Sequence, residues 1–152
     1  MMRPMPTPRL QHTLAALLLV SMGGCSRPPA QQQTESASVP APAAVIVAPA
    51  DGAMLTGPDV TVELAAEHIT LAPAGTMEPN TGHLHLFLNH DLTPEGEVVP
   101  TGEGIVHLGQ AQTTHVFQGL QPGDYTVIAV LADGAHVRLS GAATDTVRFM
   151  VH

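Results

Sequence analysis

The chain has 152 residues, a formal net charge of −8, 14 Gly, 14 Pro, one Cys and no Trp, a length that suits one domain of ordinary size. Lys is absent and the five basic residues are all Arg, which excludes the clustered positive charge that nucleic acid or an anionic membrane surface requires. One Cys excludes an intrachain disulfide and any CxxC redox or zinc motif.

Residues 1–24 read as an export signal. Arg3 and Arg9 form a positive start, and Leu10 to Val20 form an apolar stretch shorter than the roughly 20 residues that a bilayer span needs. The following Ser21-Met22-Gly23-Gly24-Cys25 resembles the bacterial lipobox. It predicts that Cys25 becomes the lipid-bearing first mature residue and that acyl chains, palmitate among them, anchor the protein to a membrane. Ser26 follows Cys25 where an Asp would signal inner-membrane retention, so the expected location is the cell envelope, at the outer membrane facing the periplasm.

Residues 25–44 are rich in Pro, Gln, Ser and Ala and carry one acidic residue, Glu35. Such a composition does not build a core and predicts a disordered tether. From residue 45 the pattern changes, and residues 45–152 read as one domain of short strands. The expected strands are Val45–Val47, Val60–Leu64, His68–Leu71, Gly82–Asn89, Ile105–Leu108, Thr113–Phe117, Asp124–Leu131 and Thr144–Val151. Turn signals separate them, among them Pro49-Ala50-Asp51-Gly52, Gly57-Pro58-Asp59 and Gly119-Leu120-Gln121-Pro122-Gly123. No window holds a helical period. The predicted fold class is all-β, an antiparallel immunoglobulin-like β-sandwich of about seven or eight short strands. Asp124–Leu131 is apolar on both faces and reads as a central strand, while the acidic stretch from Pro94 to Pro100 reads as a solvated edge.

Eight of the nine histidines follow the signal. In Gly82-His83-Leu84-His85-Leu86-Phe87-Leu88-Asn89, strand alternation places the three leucines on one face and His83, His85 and Phe87 on the other. Two imidazoles at i and i+2 stand about 7 Å apart at Cα and can converge on one ion. A transition metal needs further donors. His107, whose neighbours Val106 and Leu108 point the other way, and His136, just past the central strand, are the candidates. His68, His90, His115 and His152 have no evident partner. Neutral imidazole suits Cu²⁺ or Zn²⁺, with affinity expected to fall as pH drops through about 6.5.

Several motifs in order carry a resemblance. They are Pro49-Ala50-Asp51-Gly52-Ala53, Ala74-Gly75, Gly82-His83-Leu84-His85, His107-Leu108-Gly109-Gln110-Ala111-Gln112-Thr113, Leu120-Gln121-Pro122-Gly123 and Asp133-Gly134-Ala135-His136. Over about residues 45–151 the chain resembles the bacterial exported domains grouped as domain-of-unknown-function family 4399. Leu84, Tyr125 and Gly134 stand where that family's pattern carries His, and Asn89 stands where it carries Asp. The resemblance implies an extracytoplasmic β-sandwich and brings no activity with it. His83, His85, His107 and His136 are the histidines that still fit.

Two readings of function emerge. In the first, a lipid-anchored envelope protein binds Cu or Zn through His83, His85, His107 and His136. In the second, the His and Phe87 face is a contact surface of a non-catalytic structural module that binds protein or polymer without metal. An enzyme is not expected. Ser140 is the only Ser of the domain and lies outside a G-x-S-x-G context, and phosphate-loop and dinucleotide fingerprints are absent. Glu103 is the carboxylate nearest His107 in sequence, in a Gly-flanked turn.

Overall fold

The computed structural model describes residues 39–152. The signal, Cys25 and most of the predicted tether lie outside the described residues. Nine strands form in chain order: β1 (Ala43–Ala48), β2 (Ala53–Leu55), β3 (Val60–Glu67), β4 (Thr70–Leu71), β5 (Thr81–Leu88), β6 (Ile105–Leu108), β7 (Thr114–Phe117), β8 (Gly123–Ala132) and β9 (Asp145–Val151). There is no helix among the described residues.

The strands pack as two sheets. One is three-stranded, in the order β1-β3-β7; the other is six-stranded, in the order β2-β9-β8-β5-β4, with β6 also paired to β5. Most pairs are antiparallel, as expected. Two short edge strands differ: β2 runs parallel to β9 and β4 runs parallel to β5. Apolar alternation drives the layering. Val60, Val62 and Leu64 of β3 and Ile46 of β1 face Leu84 and Leu86 of β5, Val127, Ala129 and Leu131 of β8, and Val147, Phe149 and Val151 of β9 in one continuous core.

β5 is buried on both faces. Its leucines enter the main core, whereas Phe87 joins Val99, Val130 and Ala132 in a second apolar cluster on the outer side of the six-stranded sheet. Three expectations need correction here. The stretch from Pro94 to Pro100 is not simply a solvated edge. Val99 is buried, its amide donates to the His136 carbonyl at 2.9 Å, and Val98 bridges Val137, so the segment lies over the sheet. Its acidic members still face water, and Glu95 pairs with Arg138 at 3.7 Å. Residues Ala53–Leu55, outside the expected strands, form β2. They are too few to show alternation, and what makes them a strand is pairing with β9. His68 is not in a strand: its φ of 56° places it in the turn before β4.

Replacing Leu86, fully buried in the core, by Ala is expected to cost about 2–5 kcal/mol. Met54→Ala, at a position 70 % exposed, should change stability by no more than about 0.5 kcal/mol. Urea denaturation of the two variants measures both.

Candidate metal centre

Four imidazoles converge on the outer face of the six-stranded sheet. His83 and His85 leave β5 on the side opposite Leu84 and Leu86. Antiparallel register sets His107 of β6 directly opposite His85, and Ala132, at the end of β8, directly opposite His83. The chain then turns back through Asp133–Val137 and brings His136 over the pair.

That turn is held at both ends. The Asp133 Oδ1 accepts the amides of Ala135 at 2.8 Å and Val137 at 2.9 Å. The Asp133 amide donates to the Val137 carbonyl, and the His136 amide donates to the Asp133 carbonyl, each at 2.9 Å. His136 has φ 67°, a left-handed conformation uncommon outside Gly that persists where surrounding bonds over-determine it. A strap at residues 73–76 ties the turn to the end of β6. The Ala74 amide donates to Gly109 at 3.0 Å and the Gly75 amide donates to Gly134 at 2.9 Å.

Two glycines make this approach possible. A Cβ at Gly109 would run into the His107 ring, and a Cβ at Gly134 would run into the backbone of Thr76. Gly134 therefore stands where the backbone leaves no room for a side chain. Leu84 points into the main core and away from the cluster, and Tyr125 stacks on Phe149 with ring centroids 5.6 Å apart. The departures from the family pattern at these three positions thus leave the cluster intact.

One ring nitrogen from each of His83, His107 and His136 lies within 4.8 Å of the other two, an arrangement that can hold a metal ion. His85 adjoins them: its Nε2 is 3.0 Å from the Nε2 of His83, and the Nε2 atoms of His107 and His136 are 3.1 Å apart. Tetrahedral nitrogen donors at 2.0–2.1 Å from an ion are about 3.3 Å from each other, so both pairs already have nearly that separation. Ring centroids across the four residues are 4.6–5.9 Å apart. The four expected residues are brought together, and the four others are not. His115 packs edge-on to Phe117 in the other sheet, His152 contacts Thr56, and His68 and His90 are exposed.

The electrostatics favour neutral rings. His83 is 0 % and His85 2 % exposed, whereas His107 is open to solvent and His136 partly so. Burial first, then the neighbouring rings of His107 and His136, push the His83 pKa down to about 4. Burial first, then His83, His107 and His136, push His85 down to about 3. His107 is lowered as well, by desolvation and then by His136. Asp133 acts on His83 in the opposite direction. Proximity in sequence pointed to Glu103 as the nearby carboxylate; the turn supplies Asp133 instead. The Nδ1 atoms of both His83 and His85 are buried with no hydrogen-bond partner among the described residues, a cost that a bound water or ion would explain.

A family profile described as "Domain of unknown function (DUF4399)" matches residues 62–152. The chain belongs to this family. The match begins in β3 and contains all four clustered histidines. No curated protein matches the chain. The family carries no assigned activity, so a functional reading of this member rests on its own histidine cluster.

The depressed pKa values set the pH at which protons compete for these rings. An unfolded His titrates near 6.5, whereas folded His83 and His85 resist protonation down to about 4 and 3. Between those limits the unfolded chain binds more protons, so stability is fully present above pH 6.5 and falls as the pH drops toward the folded values. In chelator-treated protein the urea midpoint should fall progressively from pH 6.5 to 4. A His83→Leu/His85→Leu double variant, which cannot take up those protons, should show a flatter dependence over the same range.

Proposed function

We propose that this protein is a non-catalytic, lipid-anchored component of the cell envelope that holds one transition-metal ion, copper or zinc, through His83, His85, His107 and His136. The observation that carries the reading is the convergence of four imidazoles from β5, β6 and the turn after β8, with Nε2 pairs at 3.0 and 3.1 Å. Imidazole is a donor common to copper and zinc. Rings kept neutral by burial present free lone pairs without first losing a proton. Proton competition at His83 and His85 therefore sets in well below pH 6.5. Two buried rings at the base and two more accessible rings above them give the ion a way in from solvent. The net charge of −8 favours approach of a cation. The placement at the outer membrane, facing the periplasm, rests on the lipobox-like Ser21–Cys25 and on Ser26.

Calorimetric titration of chelator-treated protein with copper(II) sulfate and with zinc chloride should give one ion per chain. His83→Ala and His136→Ala should each weaken binding by at least about 100-fold. Gly109→Ala, which keeps all four histidines but drives a methyl into the His107 ring, should weaken it by about 10–100-fold, the size of effect that disturbing a ligand's orientation has. Absence of saturable binding of either ion would sink the reading.

The anchor is tested separately. In cells, Cys25→Ser should abolish incorporation of labelled palmitate and release the protein from the membrane fraction. Unchanged labelling would remove Cys25 as the anchor.

A further inference from the structure

Given the metal-binding reading, on which the proposal below depends, three features of the cluster bear on the charge of the ion it holds. First, the four candidate donors are imidazole nitrogens, so the donor set itself brings no negative charge. Second, the inner two rings are sealed from water at 0 and 2 % exposure, beside the apolar cluster of Phe87, Val99, Val130 and Ala132. The cost of removing an ion from water rises steeply with its charge. Third, the Nδ1 atoms of His83 and His85 have no acceptor among the described residues. A ligating His that donates its second N–H to a carboxylate or carbonyl becomes more basic and takes up more of the charge of the ion, and neither buried ring has this support.

One carboxylate, that of Asp133, belongs to the turn that carries His136, fixed there by the amides of Ala135 and Val137. A single negative charge balances a monovalent ion and leaves a divalent ion with an uncompensated charge beside an apolar layer. The cluster lacks the soft thiolate or thioether donors that select Cu(I) by ligand type, so the preference between the two copper states rests on charge. We propose that the His83, His85, His107 and His136 cluster is a monovalent-copper site, which holds Cu(I) more tightly than Cu(II).

The test is the reduction potential of the copper-loaded protein, read by spectroelectrochemistry. Tighter binding of Cu(I) than of Cu(II) places the bound couple above that of aqueous copper. His136→Asp adds an anionic donor at a left-handed position that Asp tolerates; it should shift the preference between the two copper states at least tenfold toward Cu(II), and so lower the potential. Circular dichroism checks that this variant keeps the fold. A wild-type potential below the aqueous couple would overturn the inference and leave the metal-binding reading standing, as would saturable zinc binding without copper binding. A potential unmoved by His136→Asp in a folded, copper-loaded variant would overturn it too. Failure of the protein to bind either copper or zinc would remove the metal-binding reading itself, and this inference with it.

Discussion

Burial of β5 on both faces is the constraint on which the rest of the site depends. Its leucines must enter the core between the two sheets, because Leu84 and Leu86 are the fully buried centre of that core. Strand alternation then forces His83 and His85 to the outer side. An outer face left bare would make them ordinary surface histidines. Here Val99 and its segment cover Phe87 beside them, and the turn after β8 folds back over them, so the two rings lose their water and stay neutral well below the usual histidine range.

The remaining donors arrive by register and by turn geometry. His107 meets His85 because β6 pairs with β5 at that residue. His136 depends on a turn whose backbone is bonded four times over around Asp133. Gly109 and Gly134 permit the close approach of the His107 ring and of the strap at residues 73–76. A methyl group at Gly109 would push against the His107 ring, and one at Gly134 against the backbone of Thr76.

This arrangement is costly for stability alone. Buried Nδ1 atoms without partners among the described residues add nothing to the stability of the sandwich. A bound cation gives the Nε2 pairs a common partner in place of the short contacts they make with each other. The histidine cluster thus sits on one side of the six-stranded sheet, while the main core on the other side holds the fold.

Much of this was legible in the sequence. Alternation in Thr81–Leu88 and Asp145–Val151, together with the punctuation by Gly, Pro and Asp, determined an all-β domain, its strong strands, and the face on which His83 and His85 stand, because a period of two is a local property of the chain. Other features were not legible. A three-residue strand such as β2 carries no period, and its pairing partner β9 lies far away in sequence. The covering role of Val99, the identity of Asp133 as the carboxylate beside the cluster, and the need for Gly at 109 and 134 all depend on which backbones lie against one another. So does the convergence itself. His83 and His136 are 53 positions apart in the chain, and only the pairing of β5 with β8 and the turn beyond it bring their rings to 5.0 Å. The sequence by itself determined which residues could serve as donors; the tertiary structure decided that they meet, because register between strands is set by the packing of the whole sheet and not by any one segment.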